Sequence, residues 1–129
     1  GLTHGEIARR MNELKQKGLV RATGMSTKTV AGGLACLQRA DAAMVTYNLE
    51  DDSQRPVIDQ AHRHGKGILV KKAFGSGHLC REGEDPVRAG MRHILGTPGV
   101  NSIIAGTINP AHLRDNARKA RAVLTDTNQ

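Results

Sequence analysis

Four short apolar runs, each followed by an amphipathic stretch, recur along the chain at a spacing of roughly 25 to 30 residues. That recurrence limits the fold more than any other feature. The runs are Leu19 to Met25, Ala42 to Tyr47, Gly67 to Ala73 and Ser102 to Ala105. A helix is expected after each. The first is capped by Ser26 or Thr27 and runs to about Arg39, and the second starts at Pro56 and ends at Gly65. The third is capped by Asp85-Pro86 and ends near Gly96-Thr97-Pro98, and the last begins at Asn109-Pro110 and frays near Thr125. A further helix opens the chain, where Thr3 to Glu6 spells a capping box ahead of Ile7, Met11 and Leu14 on one face. Strands joined by helices form parallel sheets through right-handed crossovers. The pattern fits an open doubly wound sheet or part of an eight-stranded barrel, and in either case the loops after the strands carry the site.

The fourth unit, SIIAGTINPAHLRDN, bears the strongest local signal. Ser102 to Ala105 reads as a strand buried on both faces. Gly106 lets the chain turn, Asn109 caps and Pro110 takes the first helical position. The loop Thr107-Ile108-Asn109 then lies where free N–H groups and the helix dipole favour an anion. His112 and Arg114 add positive charge in the first turns, beside Asp115 and Asn116.

Composition narrows the function classes. The 129 residues suit one domain spanning 1–129, and with 38% hydrophobic but only 2% aromatic residues the core rests on aliphatic side chains. No run approaches the ~18 apolar residues of a membrane span, and no signal peptide opens the chain, so a cytoplasmic protein with free Cys36 and Cys80 thiols is expected. The net charge of +7 admits a polyanionic partner. Its basic residues are dispersed, however, and Tyr47 and Phe74 are the only aromatics, which disfavours a nucleic-acid platform built on base stacking.

Four segments in order carry a family resemblance: LKQKGLVRATGMST, ADAAMVTYN, GKGILVKKAFGSG and TPGVNSIIAGTINPAHLRDN. Together, from about Glu13 to Lys119, they resemble the C-terminal half of the aldo/keto reductases, strands 5 to 8 of their barrel. The resemblance implies an α/β fold of four parallel βα units preceded by a helix, half of a TIM (β/α)8 barrel, and an NADP(H) cofactor. It implies that Ser26 holds the nicotinamide carboxamide and that Phe74, Gly75, Ser76 and Gly77 wrap the pyrophosphate. It further implies that Thr107, Asn109 and His112 surround the 2′-phosphate, and that Asp115 and Asn116 meet the adenine. Several positions depart from the family. Met44 stands where a glutamine is common, Lys71 where a tyrosine often stacks on the nicotinamide, and His112 where an arginine often grips phosphate. Thr27 replaces the usual asparagine beside Ser26. The family's catalytic Asp, Tyr, Lys and His come from its other half, and Tyr47 matches a residue without a catalytic role. The expectation is a cofactor-binding half with weak or lost NADP(H) affinity and no carbonyl reduction alone. Its open sheet edges would pair with a second copy or with the missing half. The alternative is a non-catalytic basic α/β module that binds nucleic acid or a protein partner.

Other residues read more plainly. Lys71 and Lys72 are adjacent in a strand, so one of them points to the inner face. His62 and His64 lie two apart on a helix, too poorly aligned to share a metal. Cys80 sits in the glycine-rich loop, His78 and His93 read as surface or packing residues, and Gly32-Gly33 allows close helix packing.

Overall fold

Strand order decides between the two architectures. The computed structural model describes residues 1, 3–75 and 82–127. In it β1 (Gly24–Ser26), β2 (Ala42–Thr46), β3 (Gly67–Lys71) and β4 (Ser102–Ile103) are parallel and lie side by side in chain order. A doubly wound sheet reverses direction part-way and so places helices on both faces. A sheet that steps always the same way by right-handed crossovers keeps its helices on one face, as a barrel does. Helices α2 (Val30–Arg39), α3 (Arg55–Arg63), α4 (Pro86–Leu95) and α5 (Pro110–Thr127) follow the strands, and α1 (His4–Gln16) precedes them. The fold is α/β, an open four-unit segment of a (β/α)8 barrel. No helix among the described residues is long and apolar enough to cross a membrane.

The core lies between sheet and helices. In β2 and β3 alternate residues are buried: Ala43, Val45, Ile68 and Val70 are sealed, while Met44, Leu69 and Lys71 on the other face are half-exposed. Val57, Ile58 and Ala61 of α3, Cys36 and Leu37 of α2, and Ile94 of α4 complete the core. Each large aliphatic sealed there contributes about 1.5 to 3 kcal/mol of transfer free energy. Packing is close where α2 meets α3: a Cβ on Gly33 would fall 2.6 Å from a Val57 methyl. Gly32 only faces the capping hydroxyl of Thr29, so the pair's packing role belongs to Gly33.

Several expected boundaries shift. The first strand was expected over Leu19 to Met25, but only Gly24–Ser26 pairs, and Leu19 is 70% exposed. The stretch has a neighbour on one side only, so Leu19 has nothing to bury against. Thr29, not Ser26 or Thr27, caps α2, because the Thr27 N–H extends the sheet ladder to the Met44 carbonyl. The fourth strand is not buried on both faces: Ser102 and Ile104 are exposed, since the inner face and outer edge lack a covering layer. At α1 the capping box forms as expected, with Thr3 N–H donating to Glu6 Oε2 at 2.7 Å and Glu6 N–H to Thr3 Oγ1 at 3.2 Å. Its apolar stripe, Ile7, Met11 and Leu14, stays exposed, and α1 is tied to the sheet by Lys15 Nζ on Asp41 Oδ1 at 2.6 Å.

Candidate functional site

The carboxyl ends of the strands open toward the start of α5, and the local chemistry there is set by its cap. Asn109 Oδ1 accepts from the Ala111 N–H at 2.9 Å, and Thr107 Oγ1 accepts from the Asn109 N–H at 3.1 Å. These bonds fix the turn that aims the helix start at solvent. Beside it lies a groove of about 360 Å³ lined by Phe74, Val87, Gly106, Thr107, His112, Asp115, Asn116 and Lys119. Five residues chosen from the sequence, Phe74, Thr107, His112, Asp115 and Asn116, therefore share one cavity. Asn109 serves as the helix cap instead of lining it. Ser76 and Gly77, together with His78 and Cys80, fall outside the described residues.

Lys119 and Val87 complete the groove and were not anticipated. Lys119 Nζ lies 2.7 Å from Asp115 Oδ2 and 2.5 Å from Asp85 Oδ2, so one ammonium ties α5 to the capping residue of α4. Arg118 Nη2 reaches Asp115 Oδ1 at 2.5 Å. The hydrogen bond from Arg118, then that from Lys119, holds the Asp115 carboxyl below the usual range. The bond from Lys119 does the same for Asp85, and both carboxylates raise the lysine. Asp115 is thus already neutralised by cations. The sequence signal for Lys119 was its spacing, four residues after Asp115 on the same helix face.

A second group sits on the inner face of the sheet. Strand register sets Ser26 level with Met44 and Leu69, and Lys71 level with Thr46. Lys71 is the inward lysine of its pair. Its ammonium reaches over β2 and donates to Ser26 Oγ at 2.7 Å. Lys72 faces outward in a left-handed conformation, φ 53°, and its carbonyl accepts from buried Asn48 Nδ2 at 2.8 Å. Asn48, missed in the sequence, joins the ends of β2 and β3 through that bond and also accepts from the Glu50 N–H at 2.9 Å. The Glu50 carboxylate rests against Gly75, where an added Cβ would fall 2.7 Å from Oε2.

Other candidates resolve into packing. Tyr47 is buried and hydrogen-bonds Thr97 Oγ1 at 3.0 Å, and the half-buried His93 ring packs against it at 5.0 Å between centroids. Burial, then the charge of Arg55, pushes the His93 pKa down. Cys36 is buried with its thiol directed at the Ala42 carbonyl, and burial pushes its pKa up. His62 and His64 are exposed, and among the described residues no three His, Cys, Asp or Glu side chains gather to hold a metal.

Solved structures place this geometry. Two structures of a Pseudomonas aeruginosa protein assigned to the aldo-keto reductases match 90% of the chain at 49% identity and a TM-score of 0.79. The chain resembles part of an aldo-keto reductase. It spans 44% and 42% of those two chains, less than half the length of each. No protein-family model matches it, and no curated protein does. Within the aldo-keto reductase frame, the α5 groove and the Ser26–Lys71 pair both lie on the strand-end side, where barrel enzymes carry their sites.

Proposed function

We propose that residues 1–129 form the cofactor-binding half of an NADP(H)-dependent aldo/keto reductase, acting in the cytoplasm. The observation that carries this reading is the convergence of Phe74, Thr107, His112, Asp115 and Asn116 on one groove at a helix start. A helix N-terminus with His112 and Lys119 beside it suits the phosphorylated ribose of NADP(H), with adenine against Asn116. Phe74 and Gly75 open the loop that would meet the pyrophosphate. The nicotinamide end is poorer: Met44 offers no amide and Lys71 no flat ring, so affinity is weak. By the family resemblance, the proton donor for carbonyl reduction would come from strands beyond residues 1–129. The open edges of β1 and β4 call for pairing, with a second copy or with the complementary barrel half.

Calorimetric titration with NADPH and with adenosine 2′,5′-bisphosphate, at low and moderate salt, tests the reading. Saturable binding of both that persists at moderate salt, and weakens on His112→Ala, is expected. The pure chain should not oxidise NADPH when an aldehyde is added. Binding that vanishes with salt and is matched by unrelated duplex DNA would replace this reading with a polyanion-binding module, which the charge of +7 would serve.

A further inference from the structure

We infer that the groove between α2 and α3 docks an acidic peptide segment of a partner protein, with one apolar side chain of that segment seated between the helices. The groove has a volume of about 360 Å³ and is lined by Leu34, Leu37 and Gln38 of α2, Gln60 of α3, and His64 and Lys66 just after it. Spacing explains its shape: Leu34 and Gln38 stand one turn apart on α2, as Gln60 and His64 do along α3, and Leu37 lies buried between the rows. Lys66 immediately precedes β3 and reaches Ala40, just before β2, so the groove lies toward the amino ends of the strands, away from the start of α5. The strands beneath it, β2 and β3, are each flanked on both sides, so no further strand is needed to complete it. The inference does not depend on the nucleotide reading, which concerns the α5 groove.

Charge selects the occupant. Lys66 Nζ donates to the Ala40 carbonyl at 3.0 Å, which leaves two of its three N–H donors for a ligand. Arg63 Nη2 donates to Gln60 Oε1 at 2.8 Å, which brings a guanidinium to the rim and leaves the Gln60 NH2 to donate. Arg39 ends α2 beside them. Among the described residues no carboxylate lies within ion-pair distance of Lys66, Arg63 or Arg39. Asp41, whose carboxyl Lys15, the Thr23 N–H and then Lys66 hold low, has both oxygens taken, Oδ1 by Lys15 Nζ at 2.6 Å and Oδ2 by the Thr23 N–H at 2.9 Å. Asp59, next to Gln60, is paired with Arg55 at 3.0 Å. A second copy of the chain, at +7, would bring like charge to this rim. A leucine floor and two glutamine amides suit an apolar side chain and a peptide main chain, whereas a phosphate backbone would use neither. A lipid surface takes up apolar side chains that stand out, and among the described residues no large apolar side chain of α2 or α3 is exposed.

The test is an NMR titration of the ¹⁵N-labelled chain with three end-capped peptides: DELLDE, DEGGDE with the same charge and no apolar side chain, and NQLLNQ with the same leucines and no charge. DELLDE should shift the Leu34, Gln38, Gln60 and His64 amides and bind at least about threefold more tightly than either control. Lys66→Met should weaken DELLDE about two- to fivefold, the range of one exposed ion pair, whereas Arg121→Gln, which removes a charge from α5, should leave it unchanged. Gln38→Glu, at an exposed position, should weaken DELLDE at least about twofold and guards against a Lys66 variant that disturbs the chain near Ala40. Equal binding of DELLDE and either control, silence at these amides, an equal loss in Arg121→Gln, or tighter binding at these amides of duplex DNA or phosphatidylserine vesicles than of DELLDE would each overturn the inference. Adenosine 2′,5′-bisphosphate, added separately, reports on Thr107 to Asn116 and so tests the nucleotide reading independently.

Discussion

Gly33→Ala sets two known effects against each other at one atom. Alanine in a helix interior gains about 1 kcal/mol over glycine by propensity. At Gly33, however, the new methyl would lie 2.6 and 2.8 Å from the two Val57 methyl carbons and 3.3 Å from Val57 Cβ. Both Val57 branches are engaged and the residue is fully buried, so turning it cannot clear the overlap. Overpacking of this kind costs about 1 to 3 kcal/mol through displaced backbone. A contact this short belongs in the upper half of that range, leaving a net loss of about 1 to 2 kcal/mol, or roughly 4 to 10 °C in Tm. Urea unfolding followed by circular dichroism measures it. Val57→Ala alone should also destabilise, by vacating volume, and the double variant should cost less than the two singles added, by at least about 1 kcal/mol. A Gly33→Ala protein more stable than the parent, or strict additivity, would refute the steric account.

Two further outcomes follow from the structure. The folded chain holds His93 below its ordinary pKa, so that residue's stabilisation is complete above about pH 6.5 and fades as pH falls through the lowered value. The urea midpoint should therefore drop between pH 7.5 and 5, above the range where carboxylates titrate, and His93→Gln should flatten that slope; an unchanged slope would show that the ring facing Tyr47, Arg55 and Asp52 does not drive it. Glu50 lays its carboxylate on Gly75, beside the loop proposed to meet pyrophosphate. Glu50→Gln should tighten NADPH about two- to fivefold, with the gain shrinking as salt rises, and calorimetry showing equal or weaker binding would exclude that repulsion.

Much of the fold was legible because local and global signals agree in the middle of the sheet. Ala42–Thr46 and Gly67–Lys71 are flanked on both sides by other strands, and their apolar runs form the expected pairs. The caps at Thr3, Asp85 and Asn109 were readable because a cap is a short-range hydrogen bond. The edges were not. At Leu19 and Ile104 apolar residues promise burial, yet no second layer meets them in this chain. A sequence run cannot report the absence of a neighbour. The site divides in the same way: His112, Asp115 and Asn116 follow from one helix start, whereas Lys119 bridging to Asp85 and Glu50 against Gly75 depend on contacts between distant segments.

The chain-order sheet also has a consequence for how the molecule comes to exist. Gly24 pairs with Ala42, Ala42 with Gly67, and Leu69 with Ser102, so each strand finds its partner within roughly thirty residues, and no pairing waits for the far end of the chain. Each βα unit packs on the one before it. The pairing of β2 with β3 needs no residue of α5, whereas the groove needs Lys119 to reach back from α5 to Asp85.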